Sequence, residues 1–507
     1  MQRKSRRFSA PRRLKTSVAV ILVATAIFLT AIARPTLHLA LAAWRDTKVD
    51  QQLSQSPGIA NDASHLNATP MKVVKVPSNL LAAQVQLRSL LKQAQMQGKK
   101  VAIAGSRHTM GGQTLHPNGI ALDMRSFNQM KLNPATQILS VQSGATWAQI
   151  IPYLNQHGYS VAVMQSNNDF SVGGTMSANA HGWQHNHAPF ASTVDSFQLM
   201  VADGRIVTCS RQQNPQLFSL VLGGYGLFGI ILTVNLQVVP NVSYSAHRTV
   251  LASTEYESTY QAQVNDSVGM AYGRLSVAPQ HFLKEAILTT YHRQGTAPPN
   301  ASLTGDTNPA IARTVFVGSV GSDYGKDLRW QLEKIVGGEA GAQVTRNQIL
   351  NRPSTLFENH DLSKTDILHE YFIPAHALEA FLVQCRQIIP KHHADLLNVT
   401  VRNVYPDKDA FLRYADQPMF GLVMLFHQDR NTTGDVKMQA LTQALINAAL
   451  SVGGRYYLPY RLHATPEQFH HAYSQAAEFF RLKLKYDPRE RFYNGFYQRY
   501  YKSADQT

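Results

Sequence analysis

Cysteine is almost absent from this 507-residue chain: there are two, Cys209 and Cys385, far apart and in no metal or redox spacing. A disulfide scaffold and a CxxC module are thereby excluded, and two buried free thiols are the plainer reading. No internal repeat or low-complexity tract occurs, and no Lys/Arg-rich folded stretch is interleaved with aromatics. The last absence argues against a nucleic-acid partner. Acidic residues are missing from the first 34 positions, which carry eight basic ones (Arg3, Lys4, Arg6, Arg7, Arg12, Arg13, Lys15 and Arg34). The net charge of +16 therefore falls to +8 for the rest, a bias that suits an anionic membrane surface or an acidic substrate.

What is present is a folded body. Hydrophobic content is 44%, aromatics are spread throughout, and the length predicts two or three domains. Behind the basic tail, Ser17 to Ala33 (SVAVILVATAIFLTAIA) carries no charge. This run suits a membrane-spanning helix or a signal-peptide core, and Ala31-Ile32-Ala33 offers a cleavage pattern. We read it as an uncleaved single-pass anchor over 17–34, with a cytoplasmic tail at 1–16 and an extracytoplasmic, periplasmic body. The pairs Arg6-Arg7 and Arg12-Arg13 lack the downstream residues of a twin-arginine signal.

Three small-residue segments carry the functional signal. Val101 to Ala104 reads as a short buried strand and runs into Gly105-Ser106-Arg107-His108-Thr109-Met110-Gly111-Gly112-Gln113. Such a loop can turn successive N–H groups toward one point and cradle a diphosphate. A second segment, Ser171-Val172-Gly173-Gly174-Thr175-Met176-Ser177-Ala178-Asn179-Ala180-His181-Gly182, is almost entirely small. The third, Gly223 to Gly229, contains G-x-G-x-x-G, the dinucleotide fingerprint. That fingerprint needs a helix after it and an acid about 20 positions on. The following IILTVNLQV is β-branched and alternating, which predicts a strand and argues against a nicotinamide site of that kind.

Together these segments resemble the FAD-binding domain of the vanillyl-alcohol oxidase / p-cresol methylhydroxylase (PCMH-type) family, nearest its alditol and aldonolactone oxidase branch. The resemblance covers about residues 69–241. It resumes near the C-terminus, where Lys483-Leu484-Lys485-Tyr486-Asp487-Pro488 and Phe492-Tyr493-Asn494 match a closing element that returns to the flavin site. It implies an α+β chain: a two-part PCMH-type FAD-binding domain at 69–241, an α+β cap (substrate) domain at 242–455, and a C-terminal segment at 456–507. The transmembrane helix would precede these, joined by a linker over 35–68 whose Pro57-Gly58 and Asn61-Asp62 signal turns. Within the body we expect a helix from Leu81 to Gln97 capped by Ser78, and a helix from Trp147 to His157 stopped by Gly158.

The resemblance also implies a cofactor and its contacts. FAD would lie against Gly105, Ser106, Arg107, His108, Thr109, Met110 and Gln113; Ser171, Gly173, Gly174, Thr175, Ser177, His181 and Gly182; Gly229, Ile230 and Ile231; and Asn494. His108 stands where the family often bonds the flavin covalently. With no cysteine near the second loop, a second tether through sulfur is not available. On the substrate side Arg402 matches the branch's arginine, but Thr400 stands where its glutamate would be, and Tyr460 where a lysine would be. Arg402, Tyr460 and Glu370 are the candidate catalytic residues. His181, His185 and His187 could meet a metal by spacing, yet His-Gly is the expected end of a flavin loop, so no metal site is assigned. The implied function is an FAD-linked oxidase or dehydrogenase acting on CH–OH donors, moving a hydride from an alcohol, sugar or aldonolactone-like substrate to the flavin. Oxygen or a membrane quinone or cytochrome would accept the electrons. The alternatives are a flavin-dependent C=C reductase of a lipid-like substrate and a degenerate flavin-binding module.

Overall fold

The computed structural model describes residues 29–48, 58–304, 309–335 and 343–502. Of the anchor expected at 17–34, residues 17–28 lie outside the described residues, and among those described no helix is long and apolar enough to cross a membrane. The linker expected over 35–68 is corrected. Arg34–Lys48 is a helix, α1, whose His38 Nε2 lies 2.8 Å from the Gly318 carbonyl and whose Asp46 takes two hydrogen bonds from Arg313. Residues 58–70 pack against the histidine loop: Ala63 N donates to the Arg107 and Thr109 carbonyls, and Gly112 N donates to Asp62 at 2.8 Å. Turn-rich composition there marks irregular backbone, which polar side chains nevertheless fix in place.

The first half of the body builds two sheets. β1 (Lys72–Lys75), α2 (Leu80–Met96), β2 (Val101–Ala104) and β3 (Ile120–Asp123) form a parallel three-stranded sheet in the order β1-β3-β2. Helix α2 buries Ala83, Leu87, Leu90, Leu91 and Ala94 at helical spacing. Its cap is Asn79, which accepts from Ala82 N, whereas Ser78 gives only its carbonyl to Gln142. The second sheet uses β4 (Met130–Asn133), β5 (Ile138–Gln142), β6 (Tyr159–Val161), β7 (Val194–Met200), β8 (Ile206–Ser210) and β9 (Ile230–Pro240). Its order is β8-β7-β9-β5-β4, with β6 also on β9. Between strands lie α3 (Trp147–Gln156), α4 (Val172–Ala178) and α5 (Pro215–Val221). Gly158, at φ 76°, follows α3 as expected. β9 starts directly after Gly229, so a strand and not a helix follows the G-x-G-x-x-G sequence.

The second half is one antiparallel sheet with helices on both faces. β10 (Val242–Ala252), β11 (Val268–Leu275) and β12 (Glu285–Thr296) precede helices α6 (Pro309–Ser319) and α7 (Asp323–Ile335). Then come β13 (Gln343–Thr345), β14 (Lys364–Pro374), α8 (Leu378–Lys391), β15 (Asp395–Val404), β16 (Met419–Asp429), α9 (Thr432–Ser451) and β17 (Arg455–Tyr456). Strand order is β13-β10-β12-β11-β15-β16-β14-β17. Alternation along β14 sends His369 and Tyr371 toward α8 and α9, and Leu368 and Glu370 to the opposite face. Cys385, in α8, and Cys209, in β8, are free and buried, and burial pushes the Cys209 thiol up to about 12.

Helix α10 (Ala476–Tyr486) ends at Asp487-Pro488, and the chain returns to the first sheet. Val101 N donates to the Arg491 carbonyl, Tyr493 N to the Val101 carbonyl and Gly495 N to the Gly112 carbonyl. The C-terminal segment therefore edges β2 and braces the histidine loop.

Candidate active site

The two sheets of the first half and the inner face of the large sheet enclose one cavity of about 1740 Å³. The first loop hangs from β2 over it. Gly105 has no room for a side chain: a Cβ there would sit 1.9 Å from Ser171 Oγ, so the first and second loops touch. Arg107 adopts φ 59° and lines the cavity with Nε and Nη2 buried and without partners. Burial lowers its guanidinium's proton affinity, and Asp123 partly opposes this. His108 stacks on Phe170 with ring centroids 3.9 Å apart, and its Nε2 lies 3.3 Å from Asp169 Oδ2. Asp169 in turn accepts from Ser354.

The second segment is a short helix rather than a loop throughout. Ser171 caps α4 by accepting from Gly174 N, and Asn179 ends it at φ 48°. Trp147 Nε1 donates to Thr175 Oγ1, and Thr175 donates to Gln165. The third segment presents Tyr225, Gly226, Gly229 and Ile231 to the same cavity.

Opposite these loops, register on the large sheet assembles polar groups. Glu370, Val423 and Thr400 form one transverse row across β14, β16 and β15; Phe372, Gly421 and Arg402 form the next. His181 reaches in from the second segment, with Nε2 2.6 Å from Glu370 Oε1. That approach is off the hydrogen-bond axis and leaves both atoms without an aligned partner, so the contact is electrostatic. Tyr460 donates to Glu370 Oε2 at 3.1 Å. Arg402 donates to Ser166 Oγ at 2.8 Å and to the His181 carbonyl at 3.3 Å, while its Nε is buried and unpartnered. Gly421 makes this possible, since a Cβ there would press at 3.3 Å on both Glu370 Oε1 and His181 Cε1. Burial works to raise the Glu370 carboxyl, but His181, Arg402 and Tyr460 outweigh it and hold it below the ordinary carboxylate range.

Residues 81–210 match the family described as FAD binding domain, and residues 325–500 match D-arabinono-1,4-lactone oxidase. By these two matches the chain is similar to the PCMH-type FAD-linked oxidoreductases of the aldonolactone oxidase kind. Similar curated proteins include L-gulonolactone oxidase of Mus musculus, 29% identical over 31% of this chain and 35% of that protein. Cytokinin dehydrogenase 9 of Oryza sativa subsp. japonica is 28% identical over 36% of each chain. D-arabinono-1,4-lactone oxidase of Yarrowia lipolytica is 26% identical over 36% of this chain and 34% of its own. The chain thus spans about a third of the length of the curated relatives it matches.

The residues present fit FAD, the cofactor of this family. An unpartnered buried guanidinium (Arg107) and unpartnered Thr109 and Thr114 hydroxyls face a cavity walled by glycine-rich backbone, which is what a diphosphate requires. Of the residues expected at the cofactor, Gly105, Ser106, Arg107, His108, Thr109, Met110, Gln113, Ser171, Gly173, Gly174, Thr175, Ser177, His181, Gly229 and Ile231 line the cavity. Three do not, and are corrected. Gly182 is wedged against the Met164 carbonyl and Gln184. Ile230 points into the core beside α2, because strand alternation sends it opposite to Ile231. Asn494 is buried and donates to the Tyr225 carbonyl, so it braces the third segment from behind.

Sequence reasoning did not find Tyr225, Gly226, Ser143, Ser166 or, within 59–68, Asn61, Asp62, Ala63 and His65, all of which line the cavity. Gly226 lay within a recognised motif and could have been taken from it; Asp62 and Ser166 carry no local signal. The three imidazoles diverge. His181 faces Glu370, and His185 shares a 2.7 Å hydrogen bond with Tyr405. His187 is pushed down to about 4 by burial and by Arg346 and Arg293. Among the described residues no three His, Cys, Asp or Glu side chains gather as a metal would need.

Proposed function

We propose that this chain oxidises a CH–OH carbon of a hydroxylated substrate, with aldonolactones and related sugars as the first class to test. FAD supplies the hydride-accepting ring when bound. His108 is the residue that would bond it, with Asp169 and Phe170 fixing the imidazole. The observation that carries the reading is Glu370, a buried carboxylate kept ionised on the cavity wall facing the flavin loops. In this reading the substrate hydroxyl donates to Glu370, which takes its proton as the carbon is oxidised. Arg402 holds a substrate oxygen through its unpartnered Nε, and Tyr460 orients the carboxylate. Oxygen, a quinone or a cytochrome then reoxidises the protein.

A membrane position for the body belongs to the same proposal. Leu37, Leu41 and Trp44 are exposed at helical spacing on α1, between Arg34 and Arg45 and directly after the apolar run.

Anaerobic mixing of the full-length holoprotein with a panel of aldonolactones, sugars and alcohols tests the reaction. At least one lactone should bleach the flavin absorbance, and Glu370→Gln should slow that bleaching by about 10²–10⁴-fold while the flavin stays bound. No bleaching by any member, or an unslowed variant, overturns the reading.

A further inference from the structure

The cavity has to hold a flavin and a substrate together. Sites for one ligand run to roughly 300–1,000 Å³, so about 1740 Å³ leaves room beside a flavin for a substrate in the upper part of that range. Part of the cavity extends over the large sheet. From Arg402 to Asn398, and from Glu370 to Asp366, the lined floor extends four residues along β15 and β14, about 13 Å. Ile311, Val315 and Phe316 of α6 wall it on one side, and Leu368 and Leu425 floor it, with Phe357 at its rim. Ile311 and Phe357 are 62% and 41% exposed, so the apolar lobe opens to solvent at that end.

Charged groups along the lobe are already engaged with one another. Glu333 holds both Arg274 and Arg329 at 2.8 Å; Arg329 also donates to Asn398, and Asn398 to Thr400. Lys364 pairs with Asp429, and Asp366 with His427. The head of the cavity is the reverse: Arg402 Nε and His181 Nδ1 are buried without partners. Of these groups, the unpartnered atoms lie at the head and the paired ones, with bare hydrocarbon, along the lobe. A small polar substrate would leave the hydrocarbon wet.

We infer that the lobe between α6 and the β14–β16–β15 floor binds the apolar tail of an amphiphilic substrate whose hydroxylated head lies at Glu370, Arg402 and Tyr460. This rests on the proposed oxidation site for the placement of the head, and it names the substrate class as a hydroxylated head carrying an alkyl or isoprenoid chain. Chain length then sets affinity, because each buried methylene contributes by its transfer from water.

Calorimetric titration of the full-length holoprotein with butyl, hexyl, octyl and decyl β-D-glucosides, each below its micellar concentration, tests the inference. Kd should fall roughly three- to fourfold per added methylene until the lobe is full. Ile311→Glu and Val315→Glu, both on the accessible side of α6, should flatten the series while butyl binding and flavin absorbance stay as in the parent. A flat series in the parent, whether weak or tight throughout, overturns the inference, as does a gradient unchanged in both variants. The two readings fail separately. A yellow protein with a flat series removes the tail site alone; a chain-length gradient in a protein whose flavin no alcohol reduces keeps the tail site and removes the oxidation.

Discussion

Glu370 is central among individual residues. The family-like sequence around Arg402 offers threonine where a carboxylate was expected, and position 400 indeed cannot supply one. The fold supplies a carboxylate from two strands over: Glu370 lies in the same transverse row as Thr400, across Val423. Because His181, Arg402 and Tyr460 overcome burial, its folded value is depressed below the ordinary 4.5. A depressed carboxylate is ionised at neutral pH and is lost only as pH falls through that lowered value. The acid limb of kcat/KM assigned to Glu370 should therefore lie below pH 4.5, and substituting Gln should abolish that limb. A limb near neutrality that disappears in Glu370→Gln would contradict the ionised-base assignment.

Among elements, the C-terminal return decides how rigid the histidine loop is. Lys483, fully buried in α10, pairs with Asp487, which also accepts from Arg491 N and Phe492 N and so turns the chain back onto β2. Burial lowers the Lys483 ammonium to about 8 against the pull of Asp487. Lys483→Ala leaves a buried carboxylate without its cation and should cost about 3–5 kcal/mol in denaturant unfolding, far above a surface lysine. A change within about 0.5 kcal/mol would show that the return is held by packing alone. Sequence pattern reached this element well, because a helix stopped by Asp-Pro is a local event. It also reached β2, α2, α3 and β9, whose apolar spacing reports burial directly. It failed at 35–68, where α1 is fixed by Asp46–Arg313 and the 58–70 stretch by hydrogen bonds to the histidine loop. Those contacts join residues far apart in sequence and leave no periodicity behind. The same holds for Asn494: its motif placed it near the flavin, but only the folded chain shows that it serves the Tyr225 carbonyl.

On the scale of the whole molecule, half-buried carboxylates tie the parts together. Asp435 clasps Arg461 and His463, and Arg461 also holds the Met110 carbonyl of the first loop. Glu333 joins α7 to the large sheet. Burial would raise both carboxyls. His463 and Arg461 in one case, and Arg274 and Arg329 in the other, outweigh it and hold each at about 2. Folded values below the ordinary 3.8 and 4.5 give stability that is whole above those values and is lost as pH falls toward about 2. Thermal unfolding should therefore fall steeply below pH 4.5, and Asp435→Asn should blunt that fall; an acid dependence identical in the variant would remove Asp435 from the account. The site itself is shared between halves, with flavin loops on one side and Glu370 and Arg402 on the other. FAD held in this cavity and bonded to His108 is the proposal on which the rest depends. The most direct test is peptide mass spectrometry of the purified full-length protein. The account predicts a His108-containing peptide carrying a flavin adduct, absent in His108→Ala; an unmodified His108 peptide recovered in full yield would contradict it.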